Sequence, residues 1–163
     1  ALDLHAAVYA RRPDVNAVIH AHGYGVMSVA ALEDGLLPCL TEAAIPFYNQ
    51  IGYIEGDFFF EPDYCAEIAQ CLGHNKALMY RHHAFASVGG AVSEAFFYAF
   101  SLNTACELQM KILASNAPYV VPSKETCERH YHAAFGSDWK ADGSMEWPGL
   151  RRMLNAEDPT YAH

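Results

Sequence analysis

The sequence feature that most constrains this chain is an apolar run, Ala17–Ile19, that leads into two histidines separated by a single alanine, His20 and His22. Side chains two residues apart on a β-strand point to the same face of the sheet. The pattern therefore predicts a strand that carries two imidazoles side by side at its end. Imidazole is the commonest protein ligand for metals, and a catalytic zinc usually has three protein ligands and one open position. A metal centre here requires a third ligand from elsewhere in the chain.

The best candidate for that third ligand is His83, which ends a second apolar run of strand length, Lys76–His83. If the two strand ends lie side by side in one sheet, His83 reaches His20 and His22. Other interpretations stay open at this point. A His-x-His pair is more often two ordinary histidines than a ligand pair, and His82 or His83 can be a hydrogen-bonded core residue.

A second His-x-His pair, His130 and His132, lies in a segment with a helical pattern. Residues two apart on a helix diverge by about 200° around its axis. Because the two imidazoles then point in different directions, we interpret this pair as surface residues rather than as metal ligands.

Composition excludes several classes of protein. The 163 residues carry a net charge of −9 without any cluster of Lys and Arg, which argues against a nucleic-acid or anionic-membrane partner. No apolar run approaches the roughly 20 residues of a membrane-spanning helix. The charged fraction is only 18%, below the usual quarter or so, and such a surface favours contacts between subunits. The five cysteines are scattered and odd in number, which fits reduced thiols in a cytoplasmic protein.

Apolar spacing, together with the positions of Pro and Gly, predicts alternating helices and strands, and therefore an α/β layer structure in one domain over residues 1–163. Helices are expected at 2–12, 26–33, 62–72, 93–115, 123–135 and 147–154. Strands are expected at 17–22, 36–40, 51–54 and 76–83, the last of which can continue to residue 88. Ser93 is the expected N-cap of the longest helix. Gly23 and Gly25 are expected to let the backbone approach a ligand.

Several segments resemble, in order and spacing, the signature of the class II aldolase/adducin family. These segments are Leu4–Val15, Val18–His22, Gly35–Pro38, Leu78–His83, Glu94–Ala95 and Ala105–Glu107. The adducin head domain is the closer part of the family, judged from the Arg-Pro-Asp-Val, Gly-Leu-Leu-Pro and Ala-Cys-Glu-Leu-Gln sequences. The resemblance covers nearly the whole chain, but the family's N-terminal segment is expected to be absent.

The resemblance implies a three-layer α/β/α sandwich with a mixed, mostly antiparallel sheet, usually assembled as a homotetramer. It also implies a divalent metal held by three histidines, which fall on His20, His22 and His83. Zinc is the first choice of metal, with manganese, iron or cobalt as alternatives. In the enzymes of the family, the metal binds vicinal oxygens of a small substrate and stabilises an enediolate formed when a carbon–carbon bond breaks.

The chain departs from the family pattern at positions that matter for catalysis. The aldolases carry a Glu four residues before the histidine that corresponds to His5, and this chain has Ala1 there. A Tyr used by fuculose-phosphate aldolase just after the proline corresponding to Pro38 is also missing. Glu42 lies in that neighbourhood and is the candidate acid/base, because a partly desolvated carboxylate near a metal is tuned toward neutrality. The alternative is a surface or loop-capping Glu.

Three functions follow as expectations. The first is a metal-dependent lyase, either an aldolase or a decarboxylase, that acts on a small hydroxy-carbonyl or carboxylate substrate. The second is a non-catalytic, adducin-like oligomerisation or scaffold module in which the histidines persist as a structural or vestigial site. The third and weaker one is a sugar-phosphate epimerase, which needs phosphate-binding loops that this sequence lacks. The three histidines favour the lyase, and Ala1 favours the scaffold.

Overall fold

The computed structural model describes residues 2–57, 61–136 and 142–162. In chain order, the described elements are α1 (Leu2–Arg11), β1 (Ala17–Ala21), α2 (Tyr24–Ala30), a 3₁₀ helix (Glu42–Phe47), β2 (Ile51–Ile54), α3 (Pro62–Leu72), β3 (Ala77–Tyr80), β4 (Ala84–Gly89), α4 (Val92–Ala114), α5 (Lys124–Phe135), α6 (Trp147–Glu157) and a second 3₁₀ helix (Pro159–Ala162). None of the described helices combines the length and apolar character that crossing a membrane requires.

The four described strands form one mixed sheet in the order β1-β4-β3-β2. Strand β4 pairs antiparallel with both β1 and β3, whereas β2 and β3 are parallel. In the β1–β4 register, Ala21 at the end of β1 lies opposite Phe85 near the start of β4. The turn that precedes β4 therefore lies beside the end of β1.

Helices cover both faces of this sheet, which confirms the three-layer α/β/α sandwich. One buried cluster joins the sheet to α1 and α3, and it includes Leu4 and Ile68. The other joins the opposite face to α2 and α4, and it includes Val26 and Leu102. Each of these side chains is fully buried, which contributes about 1.5–3 kcal/mol apiece.

Most of the predicted helices are confirmed within a few residues, and local signals explain their ends. Pro62 opens α3, and Gly73 ends it with a φ of +50° that suits glycine. The hydroxyl of Ser123 caps α5 by accepting a hydrogen bond of 3.2 Å from the Thr126 N–H.

The predicted N-cap of α4 is wrong, because the helix begins at Val92 and Ser93 lies inside its first turn. No side chain caps the helix at Ala91, but a carboxylate in its first turn binds the backbone just before it. Glu94 Oε2 accepts a hydrogen bond of 2.7 Å from the backbone N–H of Gly90. The bond is similar to the carboxylate half of a capping box, but its donor lies one residue before the N-cap Ala91.

Two strand predictions also need correction. The run from residue 76 to 88 is not one strand, because the chain reverses over Arg81–His83 and β4 returns antiparallel to β3. His82 adopts a left-handed φ of +59° in this turn. Residues 36–40 form no strand, since side chains satisfy their backbone: Leu36 N–H donates to the Tyr53 hydroxyl at 2.9 Å, and Leu37 N–H donates to Gln109 Oε1 at 2.8 Å.

Candidate metal centre

Strand pairing brings together the three histidines selected from the sequence. His20 is the fourth residue of β1, His22 follows the last residue of that strand, and His83 ends the turn between β3 and β4. The sequence predicted that two strand ends lying side by side would join them, but His83 lies in a turn beyond the end of β3. His83 reaches the other two because β4 runs antiparallel beside β1.

The three imidazoles form a compact donor set. One ligand nitrogen from each of His20, His22 and His83 lies within 4.8 Å of the other two. The Nε2 atoms of His22 and His83 are 3.2 Å apart. A tetrahedral zinc with bonds of about 2.0–2.1 Å holds its ligand nitrogens about 3.3 Å apart. The His22–His83 separation already fits such an ion, and the site offers three protein ligands.

Burial favours the metal-binding, neutral form of His20 and His83. Burial lowers the pKa of His20 to about 4, and the positive charges that His22 and His83 can carry act in the same direction. Burial also lowers the pKa of His83, and the charge that His22 can carry lowers it further. A hydrogen bond to the Asp57 backbone and the charge of Asp57 act in the opposite direction and raise it. A metal ligand must be a neutral imidazole, so both shifts prepare the site for metal at neutral pH.

Tyr80 forms the inner wall of the site. Its side chain is fully buried, and its ring centroid lies 5.5 Å from that of His20 and 6.3 Å from that of His83, edge to face in both cases. Burial raises the pKa of Tyr80, so the phenol stays protonated. His22, by contrast, is exposed. The site is therefore closed by an aromatic ring on one side and open to solvent on the other.

Residues after β2 also belong to the site, and the sequence analysis missed them. A Cβ added to Gly56 would collide with the Arg81 carbonyl oxygen and lie 3.0 Å from the Cβ of His83. The next residue, Asp57, acts on His83 through its backbone and its charge. An available signal was that acidic residues follow directly after the predicted strand 51–54. Because β2 and β3 are parallel, their ends meet at one edge of the sheet.

The structure places three other residues singled out from the sequence, Glu42, His130 and His132, on other elements. Glu42 begins the first 3₁₀ helix, which packs against α4 on the sheet face opposite the α1 side. It lines a cavity of about 380 Å³ together with Phe97 and Glu146. His130 and His132 are exposed on α5, as expected for surface residues. Ala1 lies outside the described residues.

Gly23 and Gly25 serve helix packing, which corrects the expectation that they admit a ligand. A Cβ on Gly23 would collide with Asn103 Oδ1, and one on Gly25 would lie 2.6 Å from Glu107 Cγ and 2.8 Å from its backbone nitrogen. Both contacts come from α4. The glycines that follow His22 thus let α2 pack directly on the long helix.

Comparisons with known proteins identify relatives of this chain. Residues 1–110 match the family described as Class II Aldolase and Adducin N-terminal domain. A Caulobacter vibrioides protein whose name places it among the class 2 aldolases is 31% identical over 160 residues, which cover 98% of this chain and 62% of that protein. Human gamma-adducin is 34% identical over 170 residues, covering 93% of this chain and 23% of the adducin. The chain thus spans less than two thirds of either relative.

A solved structure shows the same fold. An aldolase II superfamily protein from Pseudomonas syringae superimposes with a TM-score of 0.86 at 25% identity. The superposition covers 95% of this chain and 62% of that protein. The layer order and the mixed sheet are therefore features that this chain shares with that superfamily protein.

Proposed function

Because the chain belongs to the class II aldolase and adducin family, we propose that it is the metal-binding part of a divalent-metal-dependent carbon–carbon lyase. The reaction is an aldol cleavage or a decarboxylation of a small hydroxy-carbonyl or carboxylate substrate. The observation that carries this proposal is the convergence of three imidazoles from segments 61 residues apart along the chain. Such a donor set matches an open catalytic metal site.

The chain's own residues perform three tasks in this proposal. His20, His22 and His83 hold the ion as neutral ligands. Tyr80 excludes water from the buried side, and the exposed side at His22 admits the substrate. When bound, the ion supplies Lewis-acid chemistry to oxygens of the substrate. We propose zinc, since imidazole ligands suit it, with manganese, iron and cobalt as alternatives.

For the acid/base we propose Glu42 from the sequence and Asp57 as a competing candidate from the structure. Glu42 shares its cavity with Glu146, among apolar side chains such as Phe97. Asp57 has the advantage of acting directly on the pKa of His83. Replacement of the true acid/base by its amide lowers kcat by about 10²–10⁴-fold without removing the metal. Glu42→Gln and Asp57→Asn, with Glu146→Gln as a control from the same cavity, distinguish the candidates.

Metal content per chain tests the proposal. Elemental analysis of protein purified without added metal, and again after soaking in zinc and dialysis, is expected to give about one ion per chain. The ion should be lost in His20→Ala and in His83→Ala. The double variant His130→Ala/His132→Ala has lost a His-x-His pair too, and it should retain the ion. Wild-type protein that holds no metal after soaking would contradict the lyase proposal.

A second candidate function is an adducin-like assembly module, and one surface favours it. The first half of α4 and α6 line an apolar cavity of about 740 Å³ whose walls include Phe96, Trp147 and Leu154. Phe100, also on α4, is 65% exposed. Exposed aromatic side chains around an apolar groove are typical of interaction surfaces. We propose that the chain assembles as a homotetramer and that this face forms one of the contacts between its subunits.

Assembly alone and catalysis make different predictions about the histidines. If the chain is only a scaffold, His83→Ala leaves its sedimentation coefficient unchanged, and no substrate is turned over by any form of the protein. For the lyase, the same variant loses both metal and turnover.

All five cysteines are free thiols, which supports the proposal of a reducing, cytoplasmic location.

A further inference from the structure

Arg81 lies two residues before His83, and its side chain points away from the metal centre toward the end of α2. Its Nη1 donates a hydrogen bond of 3.1 Å to the carbonyl oxygen of Ala30 and another to that of Leu32. Its Nη2 donates one of 3.3 Å to the carbonyl of Glu33. The last carbonyls of a helix have no partner within the helix. The guanidinium from the β3–β4 turn supplies partners there.

The helix that Arg81 holds is the one that follows His22. Helix α2 starts at Tyr24 and has only seven residues, a length of about 10 Å. No side chain caps its N-terminus. Helices this short are marginal without tertiary contacts. Packing on α4 holds its buried face, and contacts at its ends add to what places α2, and with it the backbone next to His22.

Tyr53 of β2 fixes the guanidinium in place. The guanidinium carbon of Arg81 lies 4.8 Å from the centre of the Tyr53 ring, a cation–π contact. The Tyr53 hydroxyl accepts the N–H of Leu36 at 2.9 Å. The backbone N–H of Arg81 donates to Ile54 of the same strand at 2.8 Å. The arginine is thus anchored to β2 through both its backbone and its side chain.

We infer that Arg81 is a positioning residue of the histidine site: by clamping the end of α2 to the β3–β4 turn, it sets the separation of His22 from His83. The inference rests on the proposed metal site for its functional meaning. Arg81 is suited to this task because its planar fork spreads donors over two terminal nitrogens, whereas a lysine would offer its donors from a single nitrogen. Residues that orient metal ligands without touching the metal typically change its affinity by about 10–100-fold when replaced.

Arg12 provides a matched control. Arg12 is buried, with an exposed fraction of 6%, whereas Arg81 is half-buried. Like Arg81, Arg12 binds backbone carbonyls: its Nη1 donates to those of Gly73 and Asn75 at 2.7 and 3.1 Å. These contacts join the end of α1 to the end of α3, away from the histidines. Arg12→Ala thus removes a buried arginine and its carbonyl contacts without touching the α2 clamp.

The test is a cobalt titration of wild type, Arg81→Ala, Arg81→Lys and Arg12→Ala, followed by visible absorption of the bound ion. Arg81→Ala is expected to weaken cobalt affinity by about tenfold or more and to alter the spectrum, and Arg81→Lys to fall between it and wild type. Urea unfolding of the metal-free proteins measures stability separately. Arg12→Ala should lose stability yet bind cobalt within about twofold of wild type. Equal cobalt affinity in Arg81→Ala and wild type would overturn the inference.

A measurement without metal separates this inference from the proposed function. In the metal-free wild type, the Hε1 protons of His22 and His83 should show a nuclear Overhauser contact, because their Nε2 atoms are 3.2 Å apart. The contact should disappear in Arg81→Ala and persist in Arg12→Ala. If wild type binds no cobalt, the metal proposal fails, and this contact alone decides the role of Arg81: its persistence in Arg81→Ala overturns that role.

Discussion

Two histidine pairs in this chain have the same spacing and opposite surroundings. The rings of His20 and His22 have centroids 5.2 Å apart at the end of β1. His130 and His132 lie on α5, where both are exposed, and His132 packs its ring near that of Tyr131 at 6.0 Å between centroids. The strand places side chains two apart on one face, whereas the helix separates them. Backbone conformation, not spacing alone, makes a ligand pair.

The strand pair, His20 and His22, also has a neighbouring chain segment that supplies a third donor. The helix pair, His130 and His132, has no such neighbour among the described residues. Among the described residues, the group of His20, His22 and His83 is the one whose donor atoms lie close enough to share a metal. His83 comes from the turn next to β1, and Gly56 allows that turn to lie close to the end of β2. A ligand pair becomes a site only where the sheet brings a second segment beside it.

The largest effect is expected from breaking that juxtaposition with Gly56→Ala. The added Cβ would collide with the Arg81 carbonyl oxygen and crowd the Cβ of His83. Because backbone on one side must shift, we expect a loss of about 1–3 kcal/mol in the free energy of unfolding. We also expect metal binding to fall to the level of His83→Ala. Urea unfolding and zinc content after dialysis measure the two effects.

Gly90→Ala is the control for that substitution. Its added Cβ would meet only Glu94 Oε2 at 3.5 Å and the Asp14 carbonyl oxygen at 3.7 Å, which are ordinary contacts. Metal content should stay at the wild-type level in this variant. Wild-type zinc content in Gly56→Ala would show that the turn can move without disturbing the ligands, and that the sheet edge does not set their geometry.

The spacing of apolar residues and the positions of proline and glycine were enough to predict much of the fold. The apolar run before His20 predicted β1, and Pro62 and Gly73 marked the ends of α3. The choice of His20, His22 and His83 as a group needed only strand alternation and a second run ending in histidine. These are local features, and local backbone preference decides them.

The parts that the sequence did not predict depend on contacts between distant segments. Residues 36–40 have the composition of a strand, yet their backbone groups bind Tyr53 and Gln109 from other elements. The reversal at His82 leaves no glycine or proline as a signal, because a histidine itself takes the left-handed conformation. The contact of Arg81 with the end of α2 joins residues 51 apart in the chain, and no local pattern in the sequence indicates it.

An intermediate effect is expected from giving α5 the spacing that a helix requires. Glu128→His places a histidine four residues before His132, on the same face, in the manner of helical zinc ligands. Glu128 is exposed and its ion pair with Lys124 spans 3.7 Å, so stability should change little. We expect nickel affinity to rise about tenfold over the parent protein.

The parent for that experiment is His83→Ala, so that the strand site does not contribute. Isothermal titration with nickel measures the change. Glu125→His serves as the matched control, because residue 125 is exposed on the same helix but lies neither three nor four residues from His130 or His132. Equal gains in the two variants would mean that histidine number, rather than placement on one helix face, governs binding by this helix.

At neutral pH, the smallest effect concerns protons rather than metal. Burial holds the pKa of His20 near 4, below its ordinary value of 6.5. Between these two pH values, His20 is protonated in the unfolded chain but neutral in the folded chain. Acidification therefore favours unfolding. This loss of folding stability is absent above pH 6.5, grows as pH falls, and is complete near pH 4. Burial of His83 acts in the same direction.

Urea midpoints of the metal-free protein from pH 7.5 to 4.5, in the presence of a chelator, follow this linkage. His20→Gln removes the titrating group, and its midpoint should fall less steeply with acidification than that of wild type. His130→Gln removes an exposed histidine, and its slope should match wild type. A His20→Gln slope as steep as that of wild type would mean that burial does not lower the pKa of His20 and so does not prepare it for metal.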